Sequence, residues 1–233
     1  MVYILRTGKK LTVIDTGSGR SVGPAVYSYV EKNLPESPKQ IKNIFLTHWH
    51  GDHAGGALEL KRLTGAQIIC HQADAGYLSG KDKIEACMGK RMPTAGLKPG
   101  LRVLCGIGYI GLGADTSPVR PDKVVAEGPA DFAPGWEVID LPGHTPGSCG
   151  LWSPKEKILF PGDTLLAVGQ QLIPPLPFLI QQGDFMINSW QKISELGPIN
   201  WLLPGHFNIL KLEDQVTVSP KWIKRANKAS NRN

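Results

Sequence analysis

Three imidazoles and a carboxylate fall within the six residues His48-Trp49-His50-Gly51-Asp52-His53, directly behind the apolar run Ile44-Phe45-Leu46. That run, extended back to Ile41, reads as a buried strand that delivers the polar stretch. At strand spacing, residues two apart project to the same side, so His48 and His50 can grip one ion together. Asp52 and His53 lie where the chain turns, and from there they reach a second position. Neutral imidazole is a common metal ligand, and the 233 residues hold only six histidines. A polar loop that is His-rich by chance is the poorer account of three falling together.

The chain around this stretch alternates strands and helices. Val2 to Leu5 and Leu11 to Ile14 are β-rich runs separated by Gly8-Lys9-Lys10, which predicts a hairpin. The second run ends at Asp15-Thr16-Gly17, placing Asp15 just past a strand end. Pro24 to Leu34 has helical spacing, with proline in its first turn. Ala54 to Leu63 predicts a second helix stopped by Gly65, and Gln67 to Cys70 another strand. This order argues for α/β layering. Ala73 to Pro121 is poorly ordered by pattern and reads as a lid-like insertion with some helix. Strands are expected again at Trp136–Leu141, Ser148–Trp152, Lys157–Phe160 and Ile199–Leu203, with a helix over Asp184–Leu196. The whole of 1–233 is expected to be one domain.

Composition excludes several classes. No run approaches the ~20 apolar residues of a membrane span, and no basic-then-apolar signal opens the chain. The four cysteines are widely spaced with no CxxC pair, which argues against a sulfur-ligated zinc and for a reducing, cytoplasmic setting. The net charge of +6 owes much to a basic tail, 215–233, which has five Lys or Arg and no acid. Such a tail is expected to be a solvated, partly frayed end and not a nucleic-acid arm. The partner expected is therefore a small-molecule substrate and no membrane, with nucleic acid left as the lesser alternative. The apolar, proline-rich segment Leu172–Ile180 is either a wall for an acyl or aromatic group or a core or subunit contact, which leaves a homo-oligomer open.

Three more strand ends present a ligand-type side chain beside glycine: Gly143-His144, Gly162-Asp163 and Gly205-His206. Loops at strand ends are where α/β structures place chemistry. Only His71 is left over, and it reads as an ordinary surface or satisfied histidine. His48, His50, Asp52, His53, His144, Asp163 and His206 are too many donors for one tetrahedral zinc. They suit two ions sharing a bridging carboxylate.

HxHxDH at His48–His53, Asp15-Thr16-Gly17, PGHTPGS at Pro142–Ser148, FPGDTL at Phe160–Leu165 and PGH at Pro204–His206 together resemble the metallo-β-lactamase superfamily. The resemblance implies a four-layer αβ/βα sandwich with metals in a cleft between two sheets. Met1 stands almost inside the first hairpin, so the family's first N-terminal strand or strands are expected to be missing. The resemblance also implies that His48, His50 and His144 hold one metal and that Asp52, His53 and His206 hold the other. Asp163 would bridge them, and Asp15 would support the site from behind. Asp163 stands where the commonest β-lactamases have cysteine, so the match is closer to glyoxalase II-like and lactonase-like hydrolases. Two zinc ions are expected, with iron or manganese as alternatives. Zinc-bound water ionises near neutral pH, giving a hydroxide that attacks a small ester, thioester, lactone or amide, with Asp52 as the catalytic carboxylate. The alternatives are a phosphodiesterase or nuclease, a β-lactamase, and a protein like the iron persulfide dioxygenases. Cys149 reads as a small buried residue and not as a nucleophile.

Overall fold

Period-2 burial organises the structure, a computed structural model that describes residues 1–82 and 118–230. In β2 (Lys10–Ile14), β3 (Ile41–Leu46) and β4 (Gln67–His71), the side chains of Val13, Ile44, Leu46 and Ile68 join one apolar cluster. Ile14, Phe45 and Ile69, on the alternate positions, join another. Strands apolar on both faces must lie between two layers, and their β-branched side chains suit a pleated surface. These three run parallel to one another and to β5 (Lys123–Val125), while β1 (Tyr3–Thr7) closes the sheet antiparallel to β2.

The second sheet has the order β13-β12-β9-β8-β7-β6. Its members are β6 (Gly128–Pro129), β7 (Glu137–Asp140), β8 (Cys149–Ser153), β9 (Ile158–Phe160), β12 (Trp201–Leu202) and β13 (Leu210–Lys211). A separate hairpin pairs β10 (Leu166–Val168) with β11 (Gln171–Ile173). Val138, Leu151 and Phe160 meet Ile14, Phe45 and Ile69 in the central core. Ile139, Trp152 and Leu159 point the other way.

Helices cover the two outer faces. α1 (Val22–Asn33) and α3 (Ala57–Thr64) bury Val26, Val30, Ala57 and Leu60 on the first sheet. α5 (Gly183–Glu195) and α6 (Pro220–Ser230) bury Met186, Trp190, Ile193, Trp222, Ala226 and Ala229 on the second. The result is the αβ/βα sandwich. Two short ones, α2 (Gly51–Ala54) and α4 (Ala75–Leu78), complete the α-helices among the described residues. None of these helices is long and apolar enough to cross a membrane.

The structure departs from the sequence expectations in two places. The helix expected from Ala54 starts earlier, as α2, and breaks at Gly55-Gly56 before α3. The break serves a close approach: a Cβ on Gly55 would meet Gly19 N at 2.4 Å, and one on Gly56 would meet Thr16 O at 2.7 Å. The segment expected to be a frayed basic end is α6, with Pro220 at its first position and an apolar stripe buried beneath the lysines. Within the expected insertion, the described part turns through Gln72–Asp74 into α4. Residues 83–117, with Cys87 and Cys105, lie outside the described residues.

Candidate metal centre

All seven donor side chains lie at one edge of the sandwich, five on loops and two on a short helix. β3 runs into Thr47–His50, with Asp52 and His53 on α2, and His144, Asp163 and His206 follow β7, β9 and β12. They form three sets of three, each with its ligand atoms within 4.8 Å of one another: His48, His50 and His144; His48, His53 and Asp163; and Asp52, His53 and His206. The second set joins the two threesomes named from the sequence through Asp163. Asp163 Oδ2 lies 3.6 Å from His144 Nε2 and 3.3 Å from His206 Nε2, and its Oδ1 lies 3.4 Å from His53 Nε2. Gly205 makes this packing possible, because a Cβ there would stand 2.2 Å from Asp163 Oδ1 and 2.5 Å from His53 Cε1.

The imidazoles are oriented from behind. Asp15, in a left-handed turn with φ of 55° that a short polar residue tolerates, places Oδ2 at 2.7 Å from His53 Nδ1. The Thr47 hydroxyl donates its single proton to Asp15 Oδ2 at 2.9 Å, so it accepts from His48 Nδ1 at 3.1 Å. His144 Nδ1 donates to the carbonyl of Leu179 at 2.7 Å. Each of these contacts puts the Nδ1 proton outward and leaves an Nε2 lone pair facing the centre when the ring is neutral. His48 Nε2 and Asp163 Oδ1 are buried with no hydrogen-bond partner. Facing lone pairs and orphaned buried acceptors are costly unless a cation lies between them. The donor set thus fits metal ions.

Protonation follows from burial and neighbours. Burial first, and adjacent imidazoles after it, hold His48 and His50 well below the usual histidine range. His144 is lowered by burial, against the pull of Asp163. Burial alone would raise the carboxyl of Asp163, but His53 and His206 hold it well below the carboxylate range. Asp52 is likewise lowered to about 2 against burial, by His206 and His53. The carboxylates in turn raise His53 well above its ordinary value despite its burial, and raise His206 to about 9, with Asp163 the leading cause. A cation entering here displaces those protons.

Asp74 is a residue the sequence reading passed over. Fully buried, it accepts from Trp49 N–H at 3.0 Å and the Thr145 hydroxyl at 2.8 Å on Oδ2, and from Gly147 N–H at 2.7 Å on Oδ1. One carboxylate therefore clamps the loop holding His48 and His50 to the loop holding His144. Its only sequence signal is an acid placed just past a strand end. The Leu179 carbonyl is backbone and has no signal at all. His71 stands apart from the seven, buried, with Nε2 3.2 Å from Asp140 Oδ1. Cys149 is buried with its thiol pushed well above the ordinary value by burial, which suits packing and not nucleophilic attack.

Comparison with known proteins shows the family and the fold. The Metallo-beta-lactamase superfamily family matches residues 1–211. The acyl-coenzyme A thioesterase MBLAC2 of Gallus gallus is 28% identical over 237 residues, covering 97% of this chain and 78% of the relative. A hydroxyacylglutathione hydrolase of Methylococcus capsulatus is 28% identical over 154 residues, covering 66% of this chain and 45% of the relative. This chain thus spans less than half the length of that second relative. Among solved structures, TTHA1623 in a di-iron-bound form superposes with a TM-score of 0.62 at 21% identity, covering 90% of this chain and 88% of that one. With HxHxDH, PGH and FPGDTL gathered at one sandwich edge and the family match running through 1–211, the chain belongs to the metallo-β-lactamase superfamily, among its metal-dependent hydrolases.

Proposed function

We propose that the protein hydrolyses a small acyl ester or thioester at a centre of two metal ions, zinc in the first instance. The observation that carries this reading is the joining of two three-donor sets through one buried carboxylate, Asp163. His48, His50 and His144 would hold one ion, Asp52, His53 and His206 the other, with Asp163 facing both. Ions bound there supply Lewis acidity, lowering the pKa of water and polarising a carbonyl.

The chain's own groups do the rest. Asp52, held ionised at neutral pH, is an acceptor able to orient an attacking water and take up its proton. Its Oδ1 is buried without a partner and so is free for that task. Asp15, Thr47 and Leu179 fix the ring orientations, and Asp74 fixes the distance between the two histidine loops. A thioester is favoured because the thioesterase relative covers 97% of this chain. The buried, unpaired Cys70 and Cys149 suit the reducing cytoplasm proposed as its location.

Metal analysis of the purified protein, combined with assays on thioester, ester, lactone, β-lactam and phosphodiester substrates, tests this reading. About two zinc ions per chain, with thioester or ester hydrolysis lost on chelation and restored by zinc, is the expected result. One iron per chain with oxygen consumption, or salt-sensitive cleavage of nucleic acid alone, overturns it.

A further inference from the structure

Phe207, next to His206, has a φ of 68°, in the left-handed region that bulky side chains rarely adopt. Burial does not compensate for this strain, because Phe207 is 61% exposed, the most open of the large apolar residues described. Its backbone is instead held against the β10–β11 hairpin. Phe207 bridges to Ala167 of β10, Asn208 N–H donates to Ala167 O at 3.0 Å, and Asn208 Oδ1 accepts from Gly169 N–H at 2.9 Å. A conformation so disfavoured, clamped in place, with an aromatic ring left in water, calls for a function outside folding.

The position of the ring suggests that function. Of the donor side chains, His206 is the most exposed at 35% and Asp52 follows at 22%, whereas Asp163, His144 and His53 are at 6% or less. The centre therefore opens on the His206 side. The Phe207 ring centroid lies 6.1 Å from that of His206, at the opening. Val168, one residue along β10 from the bridge, and Ile209, two residues on from Phe207, are also exposed apolar side chains.

We propose that Phe207 is a specificity residue, the apolar lip on which the acyl or aryl part of the substrate rests while its carbonyl reaches the donor cluster. The reading rests on the hydrolase function proposed above and narrows it to acyl groups long or broad enough to cover a phenyl ring. A polar or very short acyl group leaves the ring uncovered and gains nothing from it.

The test compares Phe207→Gly, Phe207→Asn and Phe207→Leu with the zinc-loaded wild type on acyl thioesters from acetyl to decanoyl. Glycine and asparagine accept the left-handed backbone without the apolar ring, and leucine keeps apolar surface without the backbone ease. The ratio of kcat/KM for decanoyl over acetyl is expected to fall about tenfold in the glycine and asparagine variants and to be largely retained by leucine. The Tm of Phe207→Gly is expected to rise by a few degrees as the strain is removed. An unchanged chain-length profile in the glycine and asparagine variants, or a fall that is uniform along the series, overturns the assignment. Calorimetric titration with decanoate separates the two readings. If the wild type hydrolyses nothing, the hydrolase function fails, and Phe207 is judged by binding alone. Decanoate bound at least fivefold more weakly by Phe207→Gly supports the lip; equal binding, or none to the wild type, overturns it.

Discussion

Asp15 Oδ2 lies 2.7 Å from His53 Nδ1, and both side chains are buried. The carboxylate accepts the Nδ1 proton and so leaves Nε2 to face Asp163 and His206. Asparagine at position 15 keeps the left-handed turn, since it tolerates positive φ as aspartate does. Its amide, however, offers His53 an N–H as readily as an oxygen, removes the charge and frees the ring to flip its tautomer. Asp15→Asn is expected to lower metal affinity by 10- to 100-fold, the usual size of an effect behind a ligand. Chelator competition measures it, and an unchanged affinity would show that Asp15 does not set the tautomer.

Asp74 makes a pH-dependent contribution. Burial raises its carboxyl to about 6, against hydrogen bonds from Thr145, Gly147 and Trp49 that pull it down. The folded protein therefore holds a proton that the unfolded chain has lost between pH 4 and 6. Stability from this group is present below pH 4 and declines as pH rises to about 6, by on the order of 3 kcal/mol. Asp74→Asn removes that titration, so the gap between wild type and variant should narrow as pH rises from 4 to 6. The variant also turns an amide towards donors at Trp49 and Gly147, loosening both histidine loops. Urea unfolding at several pH values and kcat/KM at pH 7, the latter reduced about tenfold or more, check the two parts. A constant gap across that range refutes the first.

What the sequence made legible was local. His48 and Asp163 sit two and three residues past a strand end and His144 and His206 four, the last three each beside a glycine, and the strands are short apolar runs whose period-2 pattern survives in the structure. The supports behind the site were not legible, because they are made by distant pairings. Asp74 reaches Gly147 across 73 positions, and the Leu179 carbonyl reaches His144 across 35. No pattern within a window reveals either. The terminal helix was hidden differently. Trp222, Ala226 and Ala229 do fall at helical spacing, but two of the three are alanines, so charge dominated the reading of 215–233. The strands β5, β6, β10, β11 and β13, two or three residues each, are too short to show a period at all.

Gly205→Ala tests how tightly the centre is packed. The added methyl would stand 2.2 Å from Asp163 Oδ1 and 2.5 Å from His53 Cε1, far inside van der Waals contact with two buried groups. Neither is a flexible chain end, since Asp163 and His53 are held by each other and by Asp15. The PGH loop must therefore shift, against the Tyr3 hydroxyl that donates to Pro204 O at 2.7 Å. A cost of about 1–3 kcal/mol in stability is expected from overpacking. Loss of metal from the set containing Asp52, His53 and His206 should exceed loss from the set containing His50. Metal stoichiometry falling from two towards one would confirm this order, and retention of both ions with wild-type activity would refute it.

The terminal helix α6 reaches the centre through packing. Trp222 lies edge-on to Trp190 at 5.6 Å between ring centroids, and the Trp190 indole N–H donates to Thr164 O, one residue from Asp163. Further along, Arg225 donates to the carbonyls of Pro174 at 3.0 Å and Pro175 at 3.5 Å, at the start of the segment that ends in Leu179 and Ile180. Leu179 supplies the carbonyl that orients His144. Trp222→Ala empties a buried aromatic site and should cost about 3 kcal/mol or more, with part of the loss appearing as weaker metal binding. Arg225→Ala leaves the core intact, so its effect on Tm should be small. By loosening the proline segment it should still lower kcat/KM several-fold. The two variants separate stability from positioning: a helix that only plugs the core would show the first effect without the second, and a solvated tail would show neither.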